Sequence, residues 1–262
     1  MDEDKICKEY IEGESNKELS LKHKVHRTTI QRVLKRNGVE LRKQTETSRK
    51  HTLINFNNGI LNYNDAYLLG LIFSDGNLTR NCIEIILHEK DKQILIVLSN
   101  YVYGYEKISY RKGRIWQVGD KTYKSGGQWR FRVNSKFVVN ILKPIGLKEN
   151  KSLTLEYPKI DSVFDRDFIR GYFDGDGSLC IPKIKGNVRI SIVGSHMFCK
   201  TLKDKLTGYL ESNITLKEKT NNVSCVEIYG RNQVLEFCNW LYTGCDLKMN
   251  RKYEKYKELL HS

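Results

Sequence analysis

The sequence predicts an α+β protein: two pseudo-symmetric αββαββα domains packed through one helix of each, preceded by a small all-α unit. Three observations lead there. "AYLLGLIFSDGNL" (Ala66–Leu78) and "FIRGYFDGDGSL" (Phe168–Leu179) share a cadence of apolar run, small residue, Asp, Gly and Leu. The interval from Asp75 to Lys151 recurs from Asp176 to Lys252, because the two aspartates and the two lysines each stand 101 residues apart. Self-similarity at that period describes two copies of one domain rather than a solenoid. Beyond each Asp-Gly pair, strand-period and helix-period segments alternate in the same order in both copies.

Composition bounds the partners. The 262 residues are 39% hydrophobic and 29% charged, enough apolar material for a packed core. A net charge of +14 favours a polyanion, with nucleic acid ahead of an anionic membrane. No apolar run approaches the roughly 18 residues of a spanning helix. The acidic start "MDEDK" is no secretory signal, so the expectation is an intracellular protein that is neither secreted nor membrane-bound. Seven scattered cysteines form no CxxC pair, which argues for reduced thiols and against zinc.

Residues 1–43 are expected to form a helix-turn-helix module. "DEDKICKEYIEG" carries Ile6, Tyr10 and Ile11 at helical spacing and stops at Gly13. "SNKEL" offers Ser15 as N-cap with Glu18 as its capping-box partner, and "LSLKHKV" follows as a short helix. "HRTTIQRVLKRNG" places Ile30, Val33 and Leu34 on one face and ends at Gly38. Arg27, Thr28, Gln31 and Arg32 then face outward, where a recognition helix meets base edges and phosphates. His26 stands where Ser or Thr is the usual cap.

Residues 44–62 are polar and basic and read as a linker able to track phosphates. The copies occupy 63–160 and 161–262. In the first, "CIEIILH", "KISYRKG", "RIWQVGD" and "QWRFRVN" alternate as strands, and "KDKQILIVLSNYV" and "SKFVVNILKPI" are amphipathic helices. In the second, "SLCIPKI", "VRISIVG", "ITLKEKT" and "SCVEIYG" are strands, and "SHMFCKTLKDKLTGYL" and "NQVLEFCNWLYTG" are helices.

The two Asp-Gly segments read as helix C-termini. Gly70 and Ser74 lie four apart on one face, as do Gly171 and Gly175, and small residues at that spacing let two helix backbones approach closely. Packing them together brings Asp75 and Asp176 to one end, with Gly76 and Gly177 turning the chain out of each helix. Either aspartate alone is an ordinary turn residue, and either lysine alone a surface lysine. Clustered carboxylates repel unless a cation lies between them. A hard divalent ion fits, with Mg²⁺ first because it keeps waters and accepts phosphate oxygens. Carboxylates, metal and phosphate are the parts of metal-assisted phosphodiester hydrolysis, in which Lys151 and Lys252 stabilise developing charge or tune the attacking water. An EF-hand is excluded, because Leu179 and Lys185 stand where its glycine and bidentate glutamate belong.

"LLGLIFSDG" (Leu68–Gly76) and "IRGYFDGDG" (Ile169–Gly177) resemble the paired signature of the LAGLIDADG homing endonucleases, in the single-chain, two-motif form. "GLKENKSLTLEYP" and "NRKYEKYKELL" extend the resemblance over roughly 63–262. It implies that the motif helices form a pseudo-twofold interface and that Asp75 and Asp176 bind Mg²⁺, with Mn²⁺ able to substitute. It further implies that two antiparallel sheets saddle the major groove and that a monomer, with no obligate protein partner, cuts both strands of double-stranded DNA. Lys151 and Lys252 match the family's active-site lysine. Phe73 and Ser74 depart from the first motif, and Arg170 departs from the second, where it is expected to loosen the interface or face solvent. On a saddle, alternate strand residues face DNA. The candidates are Arg111, Arg114, Gln117, Lys121, Lys124, Arg130 and Arg132 in the first copy, and Lys183, Lys185, Arg189, Lys217 and Lys219 in the second. Arg and Gln are suited to bases and the lysines to phosphates. Two alternatives stay open: a non-catalytic DNA-binding regulator and an RNA-splicing maturase on the same fold.

Overall fold

Three short helices build the first unit of the chain: α1 (Glu3–Ile11), α2 (Asn16–Lys22) and α3 (Arg27–Arg36). The computed structural model describes residues 2–41, 52–182 and 187–261, and divides the chain into Met1–Thr52 and Leu53–Ser262. The predicted capping box is present. The Glu18 amide donates to Ser15 Oγ at 3.3 Å, and the Ser15 amide to Glu18 Oε2 at 2.8 Å. Helix α2 ends at Lys22, earlier than the "LSLKHKV" pattern suggests, because Lys24 adopts a left-handed φ of 51° and turns the chain toward α3. His26 serves as a cap after all: its Nδ1 accepts from the Thr28 amide at 3.4 Å. Ile6, Tyr10, Leu19, Ile30, Val33 and Leu34 form a separate small core. Burying that stripe of α3 leaves Arg27, Thr28, Gln31 and Arg32 exposed together.

The second unit opens with residues expected to be linker. Residues 53–62 lie against its core: Phe56 is buried, and the Ile54 amide donates to the Val102 carbonyl at 2.8 Å. The first half then comprises α4 (Tyr63–Asp75), β1 (Gly76–Thr79), β2 (Cys82–His88), α5 (Lys92–Tyr103), β3 (Ile108–Arg111), β4 (Ile115–Val118), β5 (Lys121–Lys124), β6 (Gln128–Asn134) and α6 (Lys136–Ile145). The second comprises α7 (Asp165–Asp176), β7 (Gly177–Cys180), β8 (Arg189–Ser195), α8 (His196–Tyr209), β9 (Ile214–Glu218), β10 (Val223–Tyr229), α9 (Arg231–Tyr242) and α10 (Asn250–His261). Each half has one four-stranded antiparallel sheet, ordered β1-β2-β6-β3 and β7-β8-β10-β9, so the two copies share one topology. They differ in the last hairpin. Strands β9 and β10 meet through a short turn containing Asn221 and Asn222 at positive φ, whereas β3 and β6 are joined through an extra arm, the β4–β5 hairpin. Strand β1 escaped the sequence pattern because "DGN" reads as a turn, and β7 stops at Cys180, short of the "SLCIPKI" run.

Alternation along the strands puts one face of each sheet on the helices. Ile83, Ile85, Phe131 and Val133 are buried in the first half, and Ile190, Ile192, Val226 and Ile228 in the second. One continuous core runs through both halves by way of α4 and α7. Those two helices touch backbone to backbone. A Cβ on Gly70 would strike the Phe168 carbonyl and stand 2.7 Å from the Tyr172 nitrogen; one on Gly171 would strike the Tyr67 carbonyl and stand 3.0 Å from the Leu71 nitrogen. Close approach is therefore a requirement for glycine, as the small-residue spacing predicts. Gly175 sits against Ser74 and Asp75 in the same way, with a Cβ there only 2.5 Å from Asp75 Oδ2.

Gly76 and Gly177 do turn the chain out of each helix, without the left-handed conformation of a glycine cap. Their φ values are −76° and −78°, extended backbone open to any residue. What excludes a side chain is space, since a Cβ would run into Ile72 and Phe173 of the preceding turn. Arg170 neither loosens the interface nor faces solvent. It is 1% exposed, pairs with Asp167 at 2.6 Å, donates through Nε to the Leu247 carbonyl at 2.8 Å, and lies over the Tyr67 ring. A buried charge persists only when paired and hydrogen-bonded; Asp167 lies one helical turn away, while the Leu247 carbonyl comes from a part of the chain the motif cannot reveal.

Candidate functional site

An α-helix leaves its last carbonyls without partners, and both motif helices solve this with a lysine from far along the chain. Lys151 Nζ donates to the carbonyls of Ser74 at 3.1 Å and Gly76 at 2.6 Å. Lys252 Nζ donates to the equivalent carbonyls of Gly175 at 3.0 Å and Gly177 at 2.6 Å, and also to that of Phe173. The recurring Asp-to-Lys interval is thus a repeated contact. Lys252 is 4% exposed with all three ammonium protons engaged, whereas Lys151 is less buried. Beside Lys151 and Asp176 opens a recess of about 230 Å³, also lined by Ser74, Leu155 and Tyr172.

Asp75 and Asp176 end neighbouring helices, and their electrostatics follow from that. Burial, then the charge of Asp176, pushes the Asp75 carboxyl up to about 6, against the pull of Lys252 and Lys151. Burial raises Asp176 as well, opposed by the two lysines. The same burial lowers Lys151, and takes Lys252 down to about 8. A half-buried carboxylate whose proton affinity is raised by the charge of its neighbour forms, with that neighbour, a donor set for a hard cation. Among the described residues no group of three His, Cys, Asp or Glu side chains gathers, so a cation there would complete its shell without a third such side chain, and Mg²⁺ keeps waters for that purpose.

One motif residue that sequence reasoning passed over is fully engaged. Asp174 is buried and accepts from Tyr67 Oη at 2.7 Å, Tyr242 Oη at 2.8 Å and the Met249 amide at 2.7 Å. This ties the segment before Lys252 to the helix that ends in Asp176. The buried position of an acid inside an apolar run was the available signal.

The open faces of the sheets gather some of the predicted basic residues and separate others. Arg111, Arg130 and Arg132 lie on the open face of the first sheet, with Glu84 across from Arg132. On the arm, Trp116 pairs Tyr123 and Val118 pairs Lys121 on one face; Gln117 pairs Thr122 and Ile115 pairs Lys124 on the other. Lys121 therefore parts company with Gln117 and Lys124, and Arg114 stands at the arm's base, its amide held by Ser125 Oγ at 2.9 Å. On the second sheet Arg189 and Lys217 share the open face and both pair with the buried Glu227, at 3.6 Å and 2.6 Å, while Lys219 is exposed just beyond β9. Lys183 and Lys185 lie outside the described residues.

The chain matches no protein-family model and no curated protein sequence. Solved structures do resemble it. A lysine-to-alanine double mutant of I-SmaMI, itself a LAGLIDADG homing endonuclease, is 14% identical with a TM-score of 0.49, over 77% of this chain and 90% of that one. I-SmaMI bound to uncleaved DNA target in the presence of calcium ions is 13% identical with a TM-score of 0.47, over 77% and 91%. Full-length DUF199/WhiA from Thermatoga maritima is 18% identical with a TM-score of 0.44, over 75% of this chain and 58% of its own length. At these identities and TM-scores none of them bears on what the site does.

Proposed function

We propose that the chain is a site-specific, metal-dependent DNA endonuclease of the LAGLIDADG homing type, acting as a monomer on both strands of a duplex. The observation that carries this reading is the paired end of α4 and α7. Two partly desolvated carboxylates meet there, Asp75 half-buried and Asp176 open to solvent, each helix end is fixed by its own lysine, and two open sheet faces bear arginines and lysines. Asp75 and Asp176 would hold a divalent cation such as Mg²⁺, which when bound supplies charge neutralisation and Lewis acidity for phosphodiester hydrolysis. The chain's own residues do the rest. Gly70, Gly171 and Gly175 bring the carboxylates together, Lys151 and Lys252 hold the helix ends against repulsion, and the basic faces engage phosphates and base edges. The exposed side of α3 adds a second point of contact.

The test is incubation of a randomised duplex library with protein and Mg²⁺, followed by sequencing of cut ends. Asp75→Asn and Asp176→Asn are each expected to abolish double-strand cutting while duplex affinity stays within about tenfold. Full cutting by either variant removes that aspartate from the site. A second reading, sequence-specific binding without cleavage, is favoured by Lys252, whose three protons are all committed to main-chain carbonyls in the manner of a structural cap. Selective binding with no nicking of supercoiled substrate under Mg²⁺ or Mn²⁺ would establish it.

A further inference from the structure

Glu84 is an acid on a face that should attract DNA. Its side chain is 16% exposed, beneath Arg130 and Arg132 on the neighbouring strand. A carboxylate there repels phosphates, so a surface built only for electrostatic attraction would omit it. The contacts suggest what it does instead. Arg132 donates through Nε to Glu84 Oε1 at 2.5 Å. Arg130 donates through Nε to Ser109 Oγ at 3.0 Å and stands 3.7 Å from the same glutamate oxygen. In both arginines the protein takes the Nε edge, and the two terminal amino groups make no hydrogen bond among the described residues. A guanidinium held by Nε presents its terminal fork in a fixed plane, the geometry that meets guanine O6 and N7.

The second sheet supplies the contrast. Glu227 engages Arg189 through a terminal nitrogen, NH1, at 3.6 Å, and takes the ammonium of Lys217 at 2.6 Å. There the acid covers the groups that would read a base; on the first sheet it leaves them clear.

We propose that Glu84, with Ser109, is a positioning residue that makes Arg130 and Arg132 sequence-reading rather than merely phosphate-binding. This rests on the DNA-binding reading above. Residues two apart on a strand are separated by about 6.8 Å, or about two base steps of duplex, so the pair specifies two guanine positions about two steps apart.

The experiment uses the full chain and a randomised duplex library, with binding profiles determined in Ca²⁺ for wild type, Glu84→Ala, Ser109→Ala, Arg130→Ala and Arg132→Ala, each checked for native far-UV circular dichroism. Wild type is expected to prefer guanine at two positions, one lost in each arginine variant. Glu84→Ala is expected to bind random duplex at least as tightly as wild type, yet to lose on the order of tenfold discrimination at those positions and none elsewhere. Ser109→Ala should weaken only the position read by Arg130, which keeps the inference testable if Glu84→Ala is unfolded. An unchanged preference profile in Glu84→Ala, or in Ser109→Ala should that be the only folded variant, overturns the inference while leaving DNA binding intact. A wild-type profile with no selective binding overturns both readings.

Discussion

The two motif helices make the same contact twice and make it differently. Across the 101-residue repeat, Tyr67 corresponds to Phe168 and Phe73 to Asp174. The contact between Phe73 and Phe168 is an edge-to-face pair with centroids 5.4 Å apart; its counterpart is the Tyr67 hydroxyl donating to Asp174 at 2.7 Å. Leu69 and Arg170 are likewise equivalent positions, both buried, one apolar and one an arginine satisfied by Asp167 and the Leu247 carbonyl. A frame fixed by glycines tolerates either chemistry, because both fill the same space. The polar version makes demands that the apolar one does not, since each buried donor and acceptor needs its partner. The second half accordingly recruits Tyr242, Leu247 and Met249 from its own C-terminal segment and locks Lys252 in place.

The frame itself should be the hardest feature to break. Gly70→Leu and Gly171→Leu force a side chain into the opposite backbone, and each is expected to cost about 3 kcal/mol or more in urea unfolding, with no difference between halves. A tolerant Gly171 beside an intolerant Gly70 would mean that the crossing is not symmetric. Next, the contact chemistry should separate the halves. Asp174→Leu strands two buried hydroxyls and an amide, and should cost about 3 kcal/mol; Phe73→Leu at the equivalent position should cost about 1 kcal/mol. Equal midpoints for the two would show that the hydrogen bonds around Asp174 add nothing beyond volume.

The lysines refine the comparison further. Lys252→Met leaves three carbonyls without their donor and should lose about 2 kcal/mol, against about 1 kcal/mol for Lys151→Met, which leaves two. In single-turnover assays on the folded variants, cleavage should slow more than affinity falls if these groups act on transition-state charge. A fall in affinity alone would make them phosphate-binding lysines. The smallest effect on the core is expected from deleting residues 1–52, whose apolar residues form a core of their own. The unfolding midpoint of the remainder should stay put, while the footprint shortens and the salt slope of binding flattens by about one unit for each phosphate that α3 no longer neutralises. An unchanged footprint and slope would assign α3 to another role.

Much of this was legible in the chain. The duplicated Asp-Gly cadence, the equal Asp-to-Lys spacing, the small residues four apart and the Ser15–Glu18 box are local or periodic signals, and helices and close glycine packing follow from them directly. What only the tertiary structure decided depends on which groups meet in space, some from distant segments and some within one helical turn. Arg170 looked misplaced until Asp167 and the Leu247 carbonyl closed around it. Gly76 and Gly177 read as exits from their helices, and space rather than φ is what requires glycine there. The basic residues of the strands divided between faces by register, which a one-residue offset inverts and composition cannot fix. Lys151 and Lys252 were legible as a pair but not as caps, because an unpaired helix carbonyl chooses its donor in three dimensions.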